Sequence, residues 1–420
     1  MARFLFTMLF TNDLGLPTRL VPIARELANR GHTVAICNPA YAPAKLIAES
    51  GLAAVPVPRL PQPTIDRLSK SPMWDSDCYF ANIGGLLDES FTRTMTAIHA
   101  DVIRDYDPDI VVDSFSPFAC LAARICGKPL VTVLQGDFHP ASRGFIWWEE
   151  VRPADLPDPA PIFSRVATGF GCEPVRRVID VFAGDLVLVV GTPETDPLPP
   201  AANAIYVGPI VWQAGNGTLP EWVAAVPRDC PLVWLYPGNP HYFALPTFAD
   251  SAVIIGAAIE AFAHSRMHVI LTMGYQNLPK KLERLPENFM LAPYLPGIAM
   301  AEHSDLMIHH GGHGSYMTGL LAGAPQVIVP TNSERESNAR RMAALGTGEF
   351  VIPTVSESGK KHLDVADFKT KVERVLTEPQ YRETARRVAR LMRRYGGAGE
   401  AADRIERFAT TVAEHSRPGG

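Results

Sequence analysis

Apolar and polar positions in the first half of the chain follow two alternating patterns. Short apolar runs, typical of buried parallel strands, are separated by segments in which apolar residues recur at helical spacing. Strands are predicted at Phe4–Thr7, Thr33–Cys37, Ala53–Val57, Asp109–Asp113, Pro129–Leu134 and Asp185–Val190. Helices are predicted around Leu20–Leu27 and at Pro43–Ser50, Ile83–Ile103, Phe118–Ile125 and Pro174–Phe182. This alternation predicts an α/β domain with a parallel sheet covered by helices on both faces.

The same pattern resumes after a stretch rich in Pro, Gly and Ala between Thr192 and Pro231. Strands are predicted at Leu232–Tyr236, Met267–Thr272, Phe289–Leu291, Asp305–Ile308 and Gln326–Pro330, and helices at Ser251–His264, Arg335–Leu345, Val365–Leu376, Pro379–Arg394 and Glu400–His415. A chain of 420 residues is also too long for one ordinary core. We therefore predict a first domain over residues 1–210, a linker over 211–230 and a second domain over 231–395, with a ligand between the two domains.

Two long irregular stretches interrupt the first domain, Arg59–Phe80 and Asp137–Pro161, and both are rich in Pro and aromatic residues. Long loops in α/β domains are often functional, which favours an apolar pocket for an acceptor molecule. The alternative is that these aromatic side chains fill the edge of the core. The residues concerned are Trp74, Phe80, Phe145 and Trp147.

Composition limits the class of protein. Hydrophobic residues make up 47% and charged residues 20% of the chain, and the net charge is −5 with no dense Lys/Arg run, which argues against nucleic acid as a partner. The six cysteines include no CxxC pair, so a metal or redox site is not indicated. No apolar stretch approaches the roughly 18 residues of a transmembrane helix. We expect a cytoplasmic protein that binds small molecules, and the sequence is compatible with a homodimer.

The strongest chemical signal is the stretch from Asp305 to Pro330, DLMIHHGGHGSYMTGLLAGAPQVIVP. A strand-like run leads into a glycine-rich turn at residues 309–314, and a helix is predicted from Ser315. Glycine lets the backbone approach a ligand closely, and a helix start presents unpaired N–H groups and a positive dipole end. The turn therefore suits a phosphate. No GxGxxG follows the first strand and no GxxxxGK[ST] occurs, so a dehydrogenase and a P-loop enzyme are disfavoured.

This turn and the residues after it resemble the donor-site signature of the inverting nucleotide-sugar glycosyltransferases of the GT-B fold, which glycosylate antibiotics, plant metabolites and steroids. The matching residues are His310, Gly312, Gly314, Ser315, Gly323, Pro325, Pro330, Glu334, Asn338 and Ala339. The segments RELANRGHTV, DPDIVVDSF and VGP also match family landmarks in order and spacing. The resemblance implies two Rossmann-like parallel-sheet domains facing each other across a cleft, with the last helix, residues 396–420, crossing back to the first domain.

The resemblance also implies that the glycine turn binds the diphosphate of a nucleotide sugar. The His310 imidazole and the Ser315 hydroxyl would donate to phosphate oxygens, together with the N–H groups from Gly312 through Gly314 to Ser315. Because fixed donors and a helix end would take the charge of the leaving group, we expect neither a metal nor another cofactor.

Two other segments match parts of the donor site. Tyr294, with its neighbour Leu295, occupies the place of the family's Trp-x-Pro, so its ring would stack on the nucleotide base. Gly238 and Asn239 match the family's Gly-Ser/Thr loop. Asn239 would contact phosphate or sugar, or would serve only as a turn residue.

Two positions of the donor signature depart from the family. Thr318 replaces the Glu that holds the ribose hydroxyls, which predicts a weaker grip on a 2′-hydroxyl, as in antibiotic-type members that use thymidine diphosphate sugars. Arg335 follows Glu334 in place of a Gln. Glu334 would still bind sugar hydroxyls. Arg335 would either bind a carboxylate-bearing sugar or turn outward and pair with Glu334 or Glu336, and we favour the outward orientation.

The catalytic base is the third departure. Inverting transfer needs a group that removes the acceptor's proton, and the family uses a His oriented by an Asp. Leu16 stands where that His is expected, although Asp113 stands where its partner is expected. The candidates that remain are Asp13 in the first loop, then Asp137 with His139 after the fifth strand, and Asp113 itself.

We therefore predict a metal-independent glycosyltransferase that moves a sugar, with inversion, from a TDP- or UDP-sugar to a small aromatic or polyketide-like natural product. Two alternatives on the same fold remain. One is a nucleotide-sugar epimerase. The other is a non-catalytic or auxiliary protein that binds nucleotide but lacks the base, and Leu16 favours it.

Overall fold

The computed structural model describes residues 1–11, 14–57, 60, 74–83, 85–145, 154–213, 217–238, 251–273, 284–292, 294–356 and 361–415. The chain forms two compact units. The first comprises Met1–Ile210 and Tyr395–Gly420, and the second comprises Val211–Arg394. No helix among the described residues combines the length and the hydropathy needed to cross a membrane.

A parallel sheet forms the centre of the first unit. Its strands are β1 (Arg3–Met8), β2 (Thr33–Cys37), β3 (Ala53–Ala54), β4 (Ile110–Ser114), β5 (Leu130–Leu134), β6 (Leu186–Val189) and β7 (Ile205–Tyr206). Their order in the sheet is β3-β2-β1-β4-β5-β6-β7, and every pair of neighbours is parallel. The strand order reverses between β1 and β4, so the carboxyl ends of these two strands mark the position where doubly wound sheets bind ligands.

Helices cover both faces of this sheet. They are α1 (Pro17–Asn29), α2 (Tyr41–Glu49), α3 (Ser76–Ile83), α4 (Glu89–Tyr106), α5 (Pro117–Ile125) and α6 (Ala160–Gly169). Side-chain caps fix the starts of two of them, because Asp88 accepts from Phe91 N (3.0 Å) at α4 and Ser116 accepts from Ala119 N (3.2 Å) at α5. The start of α5 thus lies directly after the carboxyl end of β4.

The second unit repeats this architecture. Its sheet contains β8 (Leu232–Tyr236), β9 (His268–Thr272), β10 (Phe289–Ala292), β11 (Leu306–His309), β12 (Gln326–Ile328) and β13 (Gly348–Phe350). The order is β10-β9-β8-β11-β12-β13, all parallel, and it reverses between β8 and β11. His309 pairs in register with Tyr236, so the two strands end side by side. A separate antiparallel pair is formed by β14 (Thr354–Val355) and β15 (Lys361–His362).

The helices of the second unit are α7 (Glu221–Ala224), α8 (Ser251–Phe262), α9 (Gly297–His303), α10 (His313–Ala322), α11 (Ser333–Ala344), α12 (Val365–Thr377) and α13 (Pro379–Met392). The described part of the segment predicted as a linker packs into this unit. Val223 is fully buried and Val226 is 5% exposed, and both contact the core around Trp234. Apolar side chains spaced three residues apart hold this segment against the sheet.

The last helix, α14 (Gly397–His415), belongs to the first unit and packs against α1. Arg30 Nη1 lies 2.6 Å from Asp403 Oδ1, and His32 Nε2 lies 3.0 Å from Glu406 Oε1. These contacts are partly exposed ion pairs, so most of the docking energy comes from the apolar face of the helix.

The predicted fold class, two α/β domains with parallel sheets, is confirmed, whereas several helices differ from the prediction. The predicted helix Pro174–Phe182 is only a 3₁₀ turn at Val178–Phe182, because its apolar residues are consecutive and give no helical face. The predicted helix Ile83–Ile103 is interrupted at Gly85, which has a φ of 68°. Helices α6, α7 and α9, and most of α3, lie where no helix is predicted.

Candidate functional site

The glycine-rich turn after β11 presents unpaired backbone donors. Gly311 has a φ of 86°, and Gly312 precedes the first residue of α10 without a side-chain cap. The hydrogen bond from Tyr316 N to Gly312 O (3.0 Å) closes the first turn of the helix. The N–H groups of Gly314 and Ser315 therefore have no partner within the helix. These two donors and the positive end of the helix dipole together suit an anion such as phosphate.

Gly311 is the residue that makes this turn possible. Its φ lies in the left-handed region that side chains disfavour, and a Cβ there would lie 2.8 Å from the backbone oxygen of Arg335 at the start of α11. The absence of a side chain lets α11 pack directly on the turn. The sequence at this position is thus set by close approach of two backbones.

His310 lies beside the unpaired donors and is 7% exposed. Two glycines make room for its ring, since a Cβ on Gly238 would lie 2.9 Å from Nδ1 and one on Gly312 would lie 2.6 Å from Nε2. Burial, and then the positive charge of Arg335, lowers the pKa of His310 well below its usual value of 6.5, while the backbone of Tyr236 acts in the opposite direction. The imidazole is therefore neutral at neutral pH and offers one N–H donor to a ligand.

His309 has a structural role instead. Its Nδ1 accepts from Gly311 N (3.1 Å), so the proton resides on Nε2, which donates to Gln326 Oε1 (2.8 Å). Burial lowers its pKa to about 4. Both nitrogens are satisfied, and the residue fixes the shape of the turn. By contrast, His310 Nδ1 is buried and makes no hydrogen bond of normal geometry among the described residues.

The other predicted donor-site residues of α10 differ in availability. Gly314 is exposed, and a Cβ there would meet no atom within 4 Å. Ser315 is partly exposed, and no hydrogen bond of its hydroxyl occurs in the described part of the chain. Thr318 Oγ1 donates to Gly314 O (2.8 Å) within the helix. The Thr318 hydroxyl is thus engaged with its own helix, and the weak grip on ribose stays a prediction.

Helix α11 brings the predicted sugar-binding carboxylate to the turn. Asn338 Nδ2 donates to Gly311 O (2.9 Å) and to Glu334 Oε1 (2.9 Å), so one amide connects both groups. Asn332 caps the helix by accepting from Arg335 N (3.1 Å). The cap fixes the first turn of α11, and with it Glu334, against the glycine turn.

Arg335 is oriented differently from the prediction. Its Nη1 donates to Thr331 Oγ1, just after β12, and Glu336 pairs with Arg340 Nη2 (2.7 Å) instead. The favoured outward pairing is therefore not what the structure contains, because the Thr331 hydroxyl offers an acceptor on the inner side of the helix. The buried Lys361 also donates to the backbone oxygen of Thr331. No local sequence pattern indicates a role for Thr331 or Lys361, since β15 lies far along the chain from Thr331.

The segment predicted to contact the base lies beside α10. Gly297 begins α9, and a Cβ on it would lie 3.3 Å from Thr318 Cγ2. Tyr294 is partly exposed and remains a candidate for base stacking. Leu295 is 4% exposed and packs in the core with Trp234, and its donor contact stays a prediction. Asn239, the other predicted contact, lies outside the described residues.

Asp113 lies at the carboxyl end of β4 but is fully buried. Its Oδ1 accepts from Thr7 Oγ1 (2.7 Å), and its Oδ2 accepts from Ser116 N (2.9 Å) and from Cys120 Sγ (3.3 Å). Burial raises the pKa of Asp113 to about 7 despite these donors. Such a pKa would suit a general base, but the carboxylate is enclosed by protein donors. Its geometry speaks against the predicted role as base.

The other residues considered for the role of base differ in their burial and in their hydrogen bonds. Leu16 packs against the core of the first unit and offers no proton acceptor. Asp137 is fully buried in a 3₁₀ turn, Gly136–Phe138, which also speaks against its predicted role. His139 donates from Nε2 to Asn203 O (3.2 Å) and accepts at Nδ1 from Ala141 N (3.0 Å), so both nitrogens are occupied. Asp13 lies outside the described residues and stays a prediction.

Two of the four aromatic residues predicted to line an acceptor pocket belong to the core. Phe80 is fully buried and Phe145 is 1% exposed, and their rings lie 5.8 Å and 5.7 Å from that of Phe138. This favours the second of the two interpretations, in which loop aromatics fill the core. Trp74 is partly exposed, whereas Trp147 lies outside the described residues.

His99 is a further candidate that the sequence pattern hides. The residue is 1% exposed on α4, and its ring stacks on Phe10 (4.7 Å) and Phe118 (6.2 Å), which follow β1 and β4. Nδ1 donates to Met95 O (2.8 Å), and the buried Nε2 has no hydrogen-bond partner among the described residues. Burial lowers its pKa to about 4, so the ring is neutral. The sequence pattern does not indicate this buried imidazole, because His99 occupies a helical position among apolar residues.

One group among the described residues has donor atoms close enough to hold a metal ion. Asp229, Cys230 and His268 place one ligand atom each within 4.8 Å of one another. They lie where β8 and β9 begin, at the opposite end of the strands from the glycine turn. This group is therefore separate from the candidate donor site.

Comparison with known proteins places this geometry in a family context. Residues 257–407 match the family model described as the erythromycin biosynthesis protein CIII-like, C-terminal domain. The NDP-glycosyltransferase YjiC of Bacillus licheniformis is 33% identical over 150 residues, which are 36% of this chain and 36% of that protein. The aclacinomycin-T 2-deoxy-L-fucose transferase of Streptomyces galilaeus is 26% identical over 440 residues, covering 95% of this chain and 94% of that protein.

A solved structure shows the same fold over the full length. The calicheamicin glycosyltransferase CalG4 matches with a TM-score of 0.72 at 22% identity and covers 100% of both chains. The GT-B fold predicted from the sequence is therefore confirmed, as is the resemblance to glycosyltransferases of antibiotic pathways. The match with YjiC spans only about a third of that protein's length, 36%.

Proposed function

We propose that this protein transfers a sugar, with inversion, from a nucleotide diphosphate sugar to a small-molecule acceptor. The observation that carries the proposal is the pair of N–H groups at Gly314 and Ser315, in the first turn of α10, beside the neutral imidazole of His310. The helix end and these donors would take the charge of the leaving diphosphate, so the transfer would proceed without a metal ion. The family match and the names of the relatives support the same activity.

The donor proposed is a thymidine or uridine diphosphate sugar. Tyr294 would stack on the base, and Glu334 would accept hydrogen bonds from sugar hydroxyls. The engagement of the Thr318 hydroxyl with Gly314 O (2.8 Å) supports a donor that makes little use of the ribose 2′-hydroxyl, which favours thymidine diphosphate. All six cysteines are free thiols, which supports a reducing compartment such as the cytoplasm.

The acceptor proposed is an aromatic or polyketide-like natural product. This part rests on the relative named for aclacinomycin T and on the resemblance of the sequence to natural-product enzymes. The base proposed is Asp13, because Asp113 and Asp137 are fully buried. Asp13 would take the proton from the acceptor hydroxyl as the oxygen attacks the anomeric carbon.

The experiment is a transfer assay with mass-spectrometric detection. The protein is incubated with α-linked TDP-glucose or UDP-glucose and a panel of phenolic and polyketide acceptors, and the anomeric configuration of any product is read by NMR coupling. We expect a hexose adduct with β configuration, and we expect Asp13→Asn to reduce its rate by at least about a hundredfold. An α-configured product would contradict inversion, and an unchanged rate for Asp13→Asn would contradict the assigned base.

An auxiliary role is the second candidate, and one observation favours it. Leu16 packs in the core where a catalytic His is expected, and Asp113 is enclosed by donors from Thr7, Ser116 and Cys120. An auxiliary protein would bind nucleotide without turning over any acceptor. The same assay separates the two roles, because binding of a nucleoside diphosphate with no adduct across the panel supports the auxiliary protein.

A further inference from the structure

We propose that Arg335 is the cation that binds the β-phosphate of the nucleotide donor and stabilises it as the leaving group. The proposal rests on the proposed function and assigns a role to a position where the family signature has a neutral Gln. It replaces the expectation that this side chain turns outward to the surface.

The backbone of Arg335 touches the phosphate-binding turn. A Cβ on Gly311 would lie 2.8 Å from the backbone oxygen of Arg335 and 3.1 Å from its Cβ. The hydrogen bond from Asn338 Nδ2 to Gly311 O (2.9 Å) ties the next turn of α11 to the same glycine. Arg335 thus starts in van der Waals contact with the loop that leads into α10.

The side chain is held on the inner side of α11 and keeps most of its donors. Nη1 donates to Thr331 Oγ1, which uses one of the five N–H groups of the guanidinium. No other hydrogen bond of this side chain occurs among the described residues. A guanidinium oriented by one bond, with the other donors available, has the fork geometry that binds phosphate in a bidentate manner.

The charges around Arg335 leave room for an anion. Glu336 is paired with Arg340 (2.7 Å), and Glu334 accepts from the Asn338 amide (2.9 Å). A second cation, Lys361, donates to the backbone oxygen of Thr331. Two cations therefore converge on Thr331, which favours an anionic over a cationic ligand group at this end of α11.

The position of the charge favours phosphate over a carboxylate on the sugar. Arg335 is the second largest cause, after burial, of the lowered pKa of His310, ahead of the adjacent ring of His309. The guanidinium charge therefore acts on the imidazole that lies beside the N–H groups of Gly314 and Ser315. A diphosphate bound by those donors would lie within the same field.

The chemistry of transfer gives this charge a function. The bond between the anomeric carbon and the β-phosphate oxygen breaks, and its electron pair stays on that oxygen. The acceptor oxygen forms the new bond to the anomeric carbon, and its proton goes to the base. The β-phosphate gains one negative charge in this step, and a fixed cation stabilises that change more than it stabilises the bound donor.

The test compares nucleoside diphosphates with monophosphates. Calorimetry measures the binding of UDP, TDP, UMP and TMP to the full-length protein, to Arg335→Gln, which restores the family's residue, and to Arg340→Gln as the matched control from the surface of the same helix. We expect Arg335→Gln to weaken diphosphate binding about ten- to a hundredfold and monophosphate binding less than about threefold. Arg335→Lys should recover part of the loss, and Arg340→Gln should change neither.

Three outcomes would overturn the proposal. Equal weakening of monophosphate and diphosphate binding by Arg335→Gln would mean that Arg335 only maintains the shape of the site. Thermal unfolding of the variant checks that it is folded. Unchanged diphosphate binding, combined with loss of preference for UDP-glucuronic acid over UDP-glucose, would assign Arg335 to a carboxylate on the sugar. A wild-type protein that binds neither diphosphate would overturn the proposed function as well, so the two failures are distinguishable.

Discussion

Replacing Asp113 by Asn tests the structural account of the broken catalytic dyad. Burial raises the pKa of Asp113 from 3.8 to about 7, although Thr7, Ser116 and Cys120 donate to the carboxylate. Between these two values the folded protein keeps a proton that the unfolded chain has lost. Stability therefore falls as pH rises through this interval and is constant above it. An Asn at this position carries no such proton.

The magnitude follows from the size of the pKa change. The rise from 3.8 to about 7 is about three units, and at about 1.4 kcal/mol per unit this amounts to about 4 kcal/mol. The free energy of unfolding of the wild type, minus that of Asp113→Asn, should fall by about this amount between about pH 4 and about pH 8. The lost hydrogen bond of the Asn side chain adds an offset that does not depend on pH.

Thiol labelling of Cys37 during urea unfolding provides the assay, because this fully buried residue reports on the first unit alone. Other buried groups, such as His99 with a pKa lowered to about 4 and Asp77 with a pKa raised to about 6, titrate in both proteins and cancel in the difference. A difference that stays constant with pH would refute the reasoning. A difference that rises with pH would show that Asp113 is a stabilised carboxylate.

Three further substitutions, one of them a control, probe the glycine turn and α10. Gly311→Ala should lower the free energy of unfolding by about 2–4 kcal/mol, since it combines left-handed strain with a contact of 2.8 Å to the Arg335 backbone. Gly314→Ala is the matched control and should be neutral or stabilising by up to about 1 kcal/mol, because the space there is open; equal melting temperatures for the two variants would contradict this account. Thr318→Glu should raise the affinity for UDP about tenfold and that for 2′-deoxyuridine diphosphate less, as measured by calorimetry. An equal gain for both nucleotides would show that the 2′-hydroxyl is not involved.

The sheets and most helices could be predicted because their apolar residues follow one period over enough residues. Thr33–Cys37 and Leu232–Tyr236 have the predicted bounds. The prediction was wrong for short elements, because they contain too few residues to show a period. Val178–Phe182 has no helical apolar face and forms a 3₁₀ turn. The sequence alone indicates that the glycine at residue 311 matters. It does not indicate why, because the close contact with the backbone of Arg335 appears only in the structure.

The candidate site was predictable where one local segment builds it. The glycine turn and His310 lie in consecutive residues, so spacing alone indicates phosphate binding. The orientation of Arg335 depends on Thr331, and the second cation at that point comes from Lys361, 30 residues from Thr331. Burial of Asp113 depends on the packing of β1, β4 and α5. Such contacts join distant segments, and the alternation of apolar and polar residues does not encode them.

Calorimetric titration with UDP and TDP tests the central claim, that the glycine turn binds a nucleoside diphosphate. The account predicts that the wild-type protein binds at least one of the two and that His310→Ala weakens this binding about tenfold or more, because a hydrogen bond to a charged phosphate oxygen is lost. His264→Ala, an exposed histidine of the same unit, serves as the control and should bind as the wild type does. Absence of binding by the wild type, or equal affinity of His310→Ala, would contradict the account.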